Sequence, residues 1–271
     1  MTDIAKDRDI PSASPKQSEF MPEKPFSANT GRRWKLYELC LKLGEIQDWD
    51  GKTIIDVGSS YKPSYDKKVT ELFPGAKVVA VDPSFIINGK GAYPLEEYDQ
   101  YQLRNMSQDY DPDTERRIGV VQELPLEDHS VDQVWSLMAV PLHLPLNHQG
   151  RMWAEMLRVL KPGGEVRLAP YAGRQDTFFA KLLQQYGYQV EMYTLDHGDK
   201  HLPQNGVILK VPEMSPEDVH ALYESFKQYL IGANIYATGK DWDTDYFRQS
   251  YDEPETKIES PLPKPEPPTS V

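Results

Sequence analysis

The segment 52–82, KTIIDVGSSYKPSYDKKVTELFPGAKVVAVD, limits what this chain can become more than any other stretch. The apolar run Thr53-Ile54-Ile55 ends in Asp56-Val57-Gly58, a polar turn follows, residues 67–73 have helical character, and the run Val78-Val79-Ala80-Val81 stops on Asp82. Strand, turn, helix, strand is the minimal parallel crossover unit. The turn leaving the first strand of such a unit lies at the carboxyl edge of the sheet, where backbone N–H groups and a helix N-terminus face a ligand. An acid closing the second strand is placed to accept hydrogen bonds from a ribose. The segment reads as a site for an adenosine-like cofactor. It is not a dinucleotide fingerprint, which needs three glycines, because Gly58 is followed by Ser59-Ser60-Tyr61-Lys62-Pro63. No G-x-x-x-x-G-K-[ST] occurs either, which weighs against a P-loop.

Downstream, strand and helix patterns alternate. Residues 118–121 (IGVV) read as a third strand, 123–128 as a turn, and 131–137 (VDQVWSL) as a fourth strand. Met152, Trp153, Met156, Leu157 and Leu160 share one helical stripe over 149–160, which stops at Lys161-Pro162-Gly163-Gly164. Residues 165–169 form a fifth strand, 177–186 a helix, and 188–193 and 207–211 two further strands joined by a polar loop. Alternation predicts a parallel sheet, and a closing strand pair without a crossover must be antiparallel. The expected fold is α/β: a Rossmann-like, doubly wound, seven-stranded, mostly parallel sheet with one antiparallel strand. A helix over 32–47, carried by Trp34, Leu36, Leu39, Cys40, Leu43 and Ile46, precedes it. Ser215-Pro216-Glu217-Asp218 reads as an N-cap, an N1 proline and a capping acid, ahead of the stripe Val219, Leu222, Phe226 and Leu230.

Composition sets the boundaries. Residues 1–30 are rich in Pro, Ser and charge without periodicity and read as a flexible arm; 252–271 has the same character and reads as a disordered tail. Between them lie the α/β domain, 31–214, and an extension, 215–251, whose Tyr236, Trp242, Tyr246 and Phe247 are too aromatic for a linker. They either dock back over the site or mark the surface for a protein partner. Residues 83–117 form an insertion with Tyr93, Tyr98, Tyr101 and Tyr110 and room for a crossover helix near 95–106. A net charge of −12 argues against a broad nucleic-acid footprint. No apolar run approaches the ~20 residues of a membrane span, and the first residues lack a secretory apolar core, so the expected location is cytoplasmic. A single cysteine, Cys40, excludes an internal disulfide, and its apolar neighbours suggest a buried thiol.

Several stretches now resemble one family. Asp56-Val57-Gly58 with the later Asp82 resembles motif I and the acidic motif II of class I S-adenosyl-L-methionine (SAM)-dependent methyltransferases. The stretch 123–134, ELPLEDHSVDQV, is similar to the family's L-P-F-x-D-x-S-F-D-x-V, and Arg158-Val159-Leu160-Lys161-Pro162-Gly163-Gly164 matches its R-V-L-K-P-G-G. The resemblance covers about residues 32–212 and points to the branch often acting on small molecules. It implies SAM as cofactor, held by Asp56, Gly58, Ser59 and Asp82. It also implies an acid after the third strand to hold the adenine amine; Val120 stands there, with Gln122 and Glu123 as the nearby substitutes. Ser60-Tyr61-Lys62-Pro63 replaces the later small residues of motif I.

Methyl transfer from a sulfonium is an in-line displacement, so the protein mainly positions the acceptor, and a general base helps only if the acceptor must lose a proton. His143, after the fourth strand, is the catalytic candidate; Tyr171 and Arg174, after the fifth, are substrate-binding candidates. His129 precedes the fourth strand and lies at the wrong end. Asp196, His197, Asp199 and His201 crowd one loop, which reads as a solvated hairpin rather than a metal site. Two functions follow: a SAM-dependent methyltransferase acting on a small-molecule or glycan-like acceptor, or a catalytically inactive methyltransferase-like domain serving as a protein-interaction or regulatory module. A nicotinamide oxidoreductase is disfavoured by the missing glycines and the closing strand pair.

Overall fold

The computed structural model describes residue 20 and residues 34–46, 48–59, 69, 71, 75–87, 90–91, 115–141, 144–171, 174–196, 198 and 202–238. The elements are α1 (Trp34–Cys40), β1 (Thr53–Val57), β2 (Lys77–Val81), β3 (Ile86–Ile87), β4 (Lys90–Gly91), β5 (Glu115–Arg117), β6 (Val131–Leu137), α2 (Leu146–Val159), β7 (Leu160–Ala169), α3 (Arg174–Gln185), β8 (Gln189–Thr194), β9 (Asn205–Lys210) and α4 (Pro216–Gly232). Seven strands form one sheet in the order β5-β2-β1-β6-β7-β9-β8. Strands β5, β2, β1, β6 and β7 pair in parallel, and β9 runs antiparallel to both β7 and β8. The sheet is therefore mostly parallel with one reversed strand, β9. The chain builds outward from β1 through β2 to β5, then returns to place β6 on the other side of β1. The topological switch point is the gap between β1 and β6.

Both faces are covered, which is why the central strands read as unbroken apolar runs. On one face Ile55, Val57, Val79, Val81, Val134 and Leu168 pack under Met152, Trp153 and Met156 of α2, and under Phe179, Leu183 and Phe226. On the other, Ile54, Val78, Trp135 and Ile208 pack against Tyr37, Cys40 and Leu41. Burial pushes the Cys40 thiol up to about 11.

The two motif stretches that specify the fold prove to be one clamp at the amino end of the sheet. Arg158, near the end of α2, donates to the carbonyls of Leu124 at 3.0 Å and Leu126 at 2.8 Å. It also pairs with Glu155 at 2.8 Å and Asp128 at 2.7 Å. Glu155 in turn accepts from the Leu124 N–H at 3.0 Å. Asp132 in β6 accepts from the Thr53 N–H at 2.9 Å and from Lys161 at 2.8 Å, so one carboxylate ties the starts of β1, β6 and β7.

The boundaries differ from expectation in places with clear causes. The third strand is Glu115–Arg117, not 118–121. It is an edge strand with all three residues half-buried, so charged side chains suit it and an apolar pattern was a poor guide. Val120 instead bridges to Glu123 in the turn that follows. The first helix ends at Cys40, because Lys42 takes a left-handed backbone (φ 52°) before a short 3-10 turn, Leu43–Glu45. Helix α2 begins one turn earlier than expected, and β7 already starts at Leu160, with Lys161 to Gly164 forming an irregularity within the strand. The insertion contributes β5 and the hairpin β3–β4, which sequence patterning did not reveal. Its tyrosines and the expected helix over 95–106 lie outside the described residues.

Ser215 caps α4 as expected, accepting from the Asp218 N–H at 3.2 Å with Pro216 in the first turn. Val219, Tyr223, Phe226 and Leu230 are its buried face; Leu222 packs at the margin. Of the stretch read as an arm, Phe20 alone is described, and it is fully buried. The tail 252–271 lies outside the described residues. Among the described residues no helix is long and apolar enough to cross a membrane.

Two outcomes follow from this packing. Arg158→Met leaves buried Glu155 without its guanidinium partner and two carbonyls of the clamp, those of Leu124 and Leu126, without their donor, and should lower the unfolding free energy by about 3 kcal/mol in urea titration. A loss below ~1 kcal/mol would place Arg158 with ordinary surface pairs. Because the fold favours the protonated Cys40 thiol, its contribution is complete below pH 9.0 and is lost as pH rises toward about 11. At pH 8 the native chain should not react with Ellman's reagent, while the urea-unfolded chain should release one equivalent; rapid native labelling would contradict the burial.

Candidate functional site

The carboxyl ends of β2, β1 and β6 lie side by side and carry four of the residues that the sequence singled out, Asp56, Gly58, Ser59 and Asp82. Asp56 is fully buried near the end of β1, and its Oδ2 accepts from the Tyr37 hydroxyl at 2.8 Å. The following Gly58 has φ 70°, and its N–H donates to the Val81 carbonyl at 2.8 Å, tying the β1 exit to the end of β2. A Cβ at Gly58 would overlap that of Ala139, just beyond β6. Glycine is required there twice over, by its backbone conformation and by the closeness of the β6 exit. Ser59 is buried beside it.

Across the switch point, buried Ser136 holds the two exits together. Its hydroxyl donates to the Val57 carbonyl at 2.9 Å and accepts from the Val140 N–H at 3.2 Å. Met138 follows with φ 54° and an N–H donated to the Ala169 carbonyl at 2.6 Å, and the residue is 39% exposed. A non-glycine residue in this backbone region is the kind of local cost found at functional sites.

At the end of β2, Asp82 is nearly buried. Its Oδ1 accepts from the Ser84 N–H at 2.8 Å, and its own N–H donates to the Arg117 carbonyl at 3.2 Å, so the β2 and β5 exits are joined. The β5 exit holds Val120, Gln122 and Glu123. Gln122 is buried, with Nε2 3.3 Å from His148 Nδ1, and its carbonyl accepts from Arg151 Nε at 2.7 Å. Glu123 is exposed.

Other candidates fall elsewhere. Tyr171 is buried edge-on against Trp153, and its hydroxyl donates to the Asp176 carbonyl at 2.7 Å, so its polar atom is engaged in the fold. Burial raises its pKa well above the ordinary phenol value, with the nearby Asp176 charge adding to the effect. Arg174 opens α3. His143 lies outside the described residues. His129 sits at the amino end, where Nδ1 donates to the Leu160 carbonyl at 2.8 Å. In the loop between β8 and β9, Asp196 is exposed, and His197, Asp199 and His201 lie outside the described residues. Among the described residues no three side chains are grouped as metal ligands.

Two site residues escaped sequence reasoning. Tyr37 was legible only as one more helix position, although an aromatic with a polar tip on a buried stripe needs a partner. Arg151 adjoins the apolar stripe of α2 and looks like a solvated charge. Tyr236 docks back on the domain, with the Arg151 guanidinium 5.1 Å from its ring centroid. Trp242, Tyr246 and Phe247 lie outside the described residues.

Residues 64–168 match the family model described as a methyltransferase domain. No curated protein sequence matches the chain. Among solved structures, similarity extends to a chain of the complex between the Haloferax volcanii Trm112 methyltransferase activator and a methyltransferase. It is 15% identical, with a TM-score of 0.49 over 67% of this chain and 92% of that one. Human N-acetylserotonin methyltransferase, solved with SAM, is 12% identical, with a TM-score of 0.44 over 66% of this chain and 52% of that one. Burkholderia thailandensis 1,6-didemethyltoxoflavin-N1-methyltransferase, solved with S-adenosylhomocysteine, is 13% identical, with a TM-score of 0.44 over 64% and 75%. The family match runs from before β2 to Leu168 near the end of β7, so this part of the chain is similar to a methyltransferase domain.

Proposed function

We propose that the chain transfers the methyl group of SAM to a small-molecule or glycan-like acceptor, with the cofactor lying along the carboxyl edge of β2, β1 and β6. The observation that carries this reading is the placing of Asp56, Gly58 and Ser59 at the switch point and of Asp82 at the neighbouring β2 exit, along the edge where α/β sheets take their ligands. The donor chemistry fits. Carboxylates accept hydrogen bonds, and the ribose hydroxyls and the ammonium group of SAM donate them. Asp82 takes the ribose side. Asp56, steadied by Tyr37, and the Gly58–Ser59 backbone take the methionine side.

SAM supplies an electrophilic methyl carbon. The residues of the chain have the remaining work of orienting it, excluding water and presenting the acceptor in line. Met138 forms part of the mouth on the acceptor side. His143, two residues past Pro141, assists when the acceptor must lose a proton. The non-catalytic alternative gains no support from the family match.

Two measurements test the site. Asp82→Asn keeps an acceptor for the Ser84 N–H but removes the charge, and should weaken S-adenosylhomocysteine binding about tenfold by calorimetry without unfolding the chain. Equal affinity would take Asp82 out of the site. Gly58→Ala forces a side chain into a left-handed backbone and onto Ala139; it should cost about 2 kcal/mol of stability and abolish detectable cofactor binding. A variant with native stability and affinity would contradict the packing at the switch point.

A further inference from the structure

Phe20 and the segment that follows α4 come together beside the β5 exit. Phe20, fully buried, clusters with Val120 and Ala237, and its ring stands edge-on to His148 at 6.0 Å. Arg151 lies at the centre. Its guanidinium is 4.1 Å from the Phe20 ring centroid, Nε donates to the Gln122 carbonyl at 2.7 Å, and Nη1 donates to the Ala237 carbonyl at 3.0 Å. The Ala237 N–H donates to the Asn147 carbonyl at 3.0 Å. The C-terminal segment fits against α2 because Gly150 has no Cβ; one there would collide with the Ile235 carbonyl oxygen.

The direction of the cofactor gives this cluster a role. A ligand with its reactive end at the β1–β6 gap and its ribose at Asp82 extends next toward β5, which flanks β2. The base then meets the loop 118–122. Recognising a purine edge requires backbone donors and acceptors held in fixed positions. This loop lies outside the strands and is braced from within by the Val120–Glu123 bridge. Arg151 braces it from α2 through the Gln122 carbonyl, and Phe20 closes its apolar side at Val120. A guanidinium held by two carbonyls and two aromatic faces is a rigid support.

We propose that Arg151 and Phe20 are positioning residues for the adenine of the cofactor, so that a side chain from before the domain helps to set base affinity and base selectivity. This rests on the cofactor reading above. The test is calorimetric titration of the full chain, and of Arg151→Lys and Phe20→Leu, with S-adenosylhomocysteine and with S-inosylhomocysteine, whose base carries a carbonyl in place of the amine. Melting temperatures confirm folding, and Phe20→Leu keeps the cluster apolar. The wild type should prefer the adenine ligand. Both variants should lose about tenfold in S-adenosylhomocysteine affinity while losing less for the inosyl ligand, so that selectivity narrows. Unchanged affinity, equal losses for both ligands, or no base preference in the wild type would overturn the positioning role while leaving the cofactor reading intact. Absence of S-adenosylhomocysteine binding by the wild type would overturn both.

Discussion

One carboxylate sets the frame on which the rest depends. Asp132 takes the first N–H of β1 and the ammonium of Lys161 at the start of β7, while itself sitting in β6. Three neighbouring strands are thereby aligned at their amino ends. A parallel sheet has no hairpins to fix its register, so such cross-strand ties, with the pattern of buried side chains, determine it. The register then fixes how the far ends meet. Val57, Val81 and Leu137 end their strands together, and the exits of β1 and β6 touch at Gly58 and Ala139. The amino-end motifs thus do architectural work for a site at the opposite edge.

The chemistry at that edge follows from what a parallel sheet leaves over. The strands are consumed by packing on both faces, so polar groups that face a ligand in such sheets collect where strands end. Asp56 and Asp82 occupy those positions, at neighbouring strand ends. The buried Ser136 hydroxyl spends both its donor and its acceptor on joining the β1 and β6 exits. These two bonds tie the exits to each other across the gap.

The sequence made the sheet legible and the supports of the site much less so. Alternating strand and helix patterns, and a closing pair without a crossover, suffice for the mostly parallel sheet with β9 reversed. Acids ending two apolar runs suffice to place Asp56 and Asp82 near neighbouring strand ends. The edge strand β5 was misplaced because Glu115, Arg116 and Arg117 give no apolar signal, whereas the neighbouring 118–121 gave a false one. Tyr37, Arg151 and Phe20 act over long sequence separations, through contacts that local periodicity does not encode. Phe20 is one of two aromatics in a polar arm, Phe26 being the other, and its burial depends on a receptor surface built far downstream. Tyr171 shows the opposite failure: chain position favoured a site role, yet its hydroxyl is taken by the Asp176 carbonyl.

The central claim is that a SAM-type ligand lies across the exits of β1, β2 and β5. Hydrogen–deuterium exchange of the full chain with and without saturating S-adenosylhomocysteine tests it directly. The account expects new protection in 56–59, 82–85 and 118–123, with no change in the amino-end turns at 124–130 and 160–165. Protection confined to those turns or to the β8–β9 pair, or none at Asp82, would contradict it.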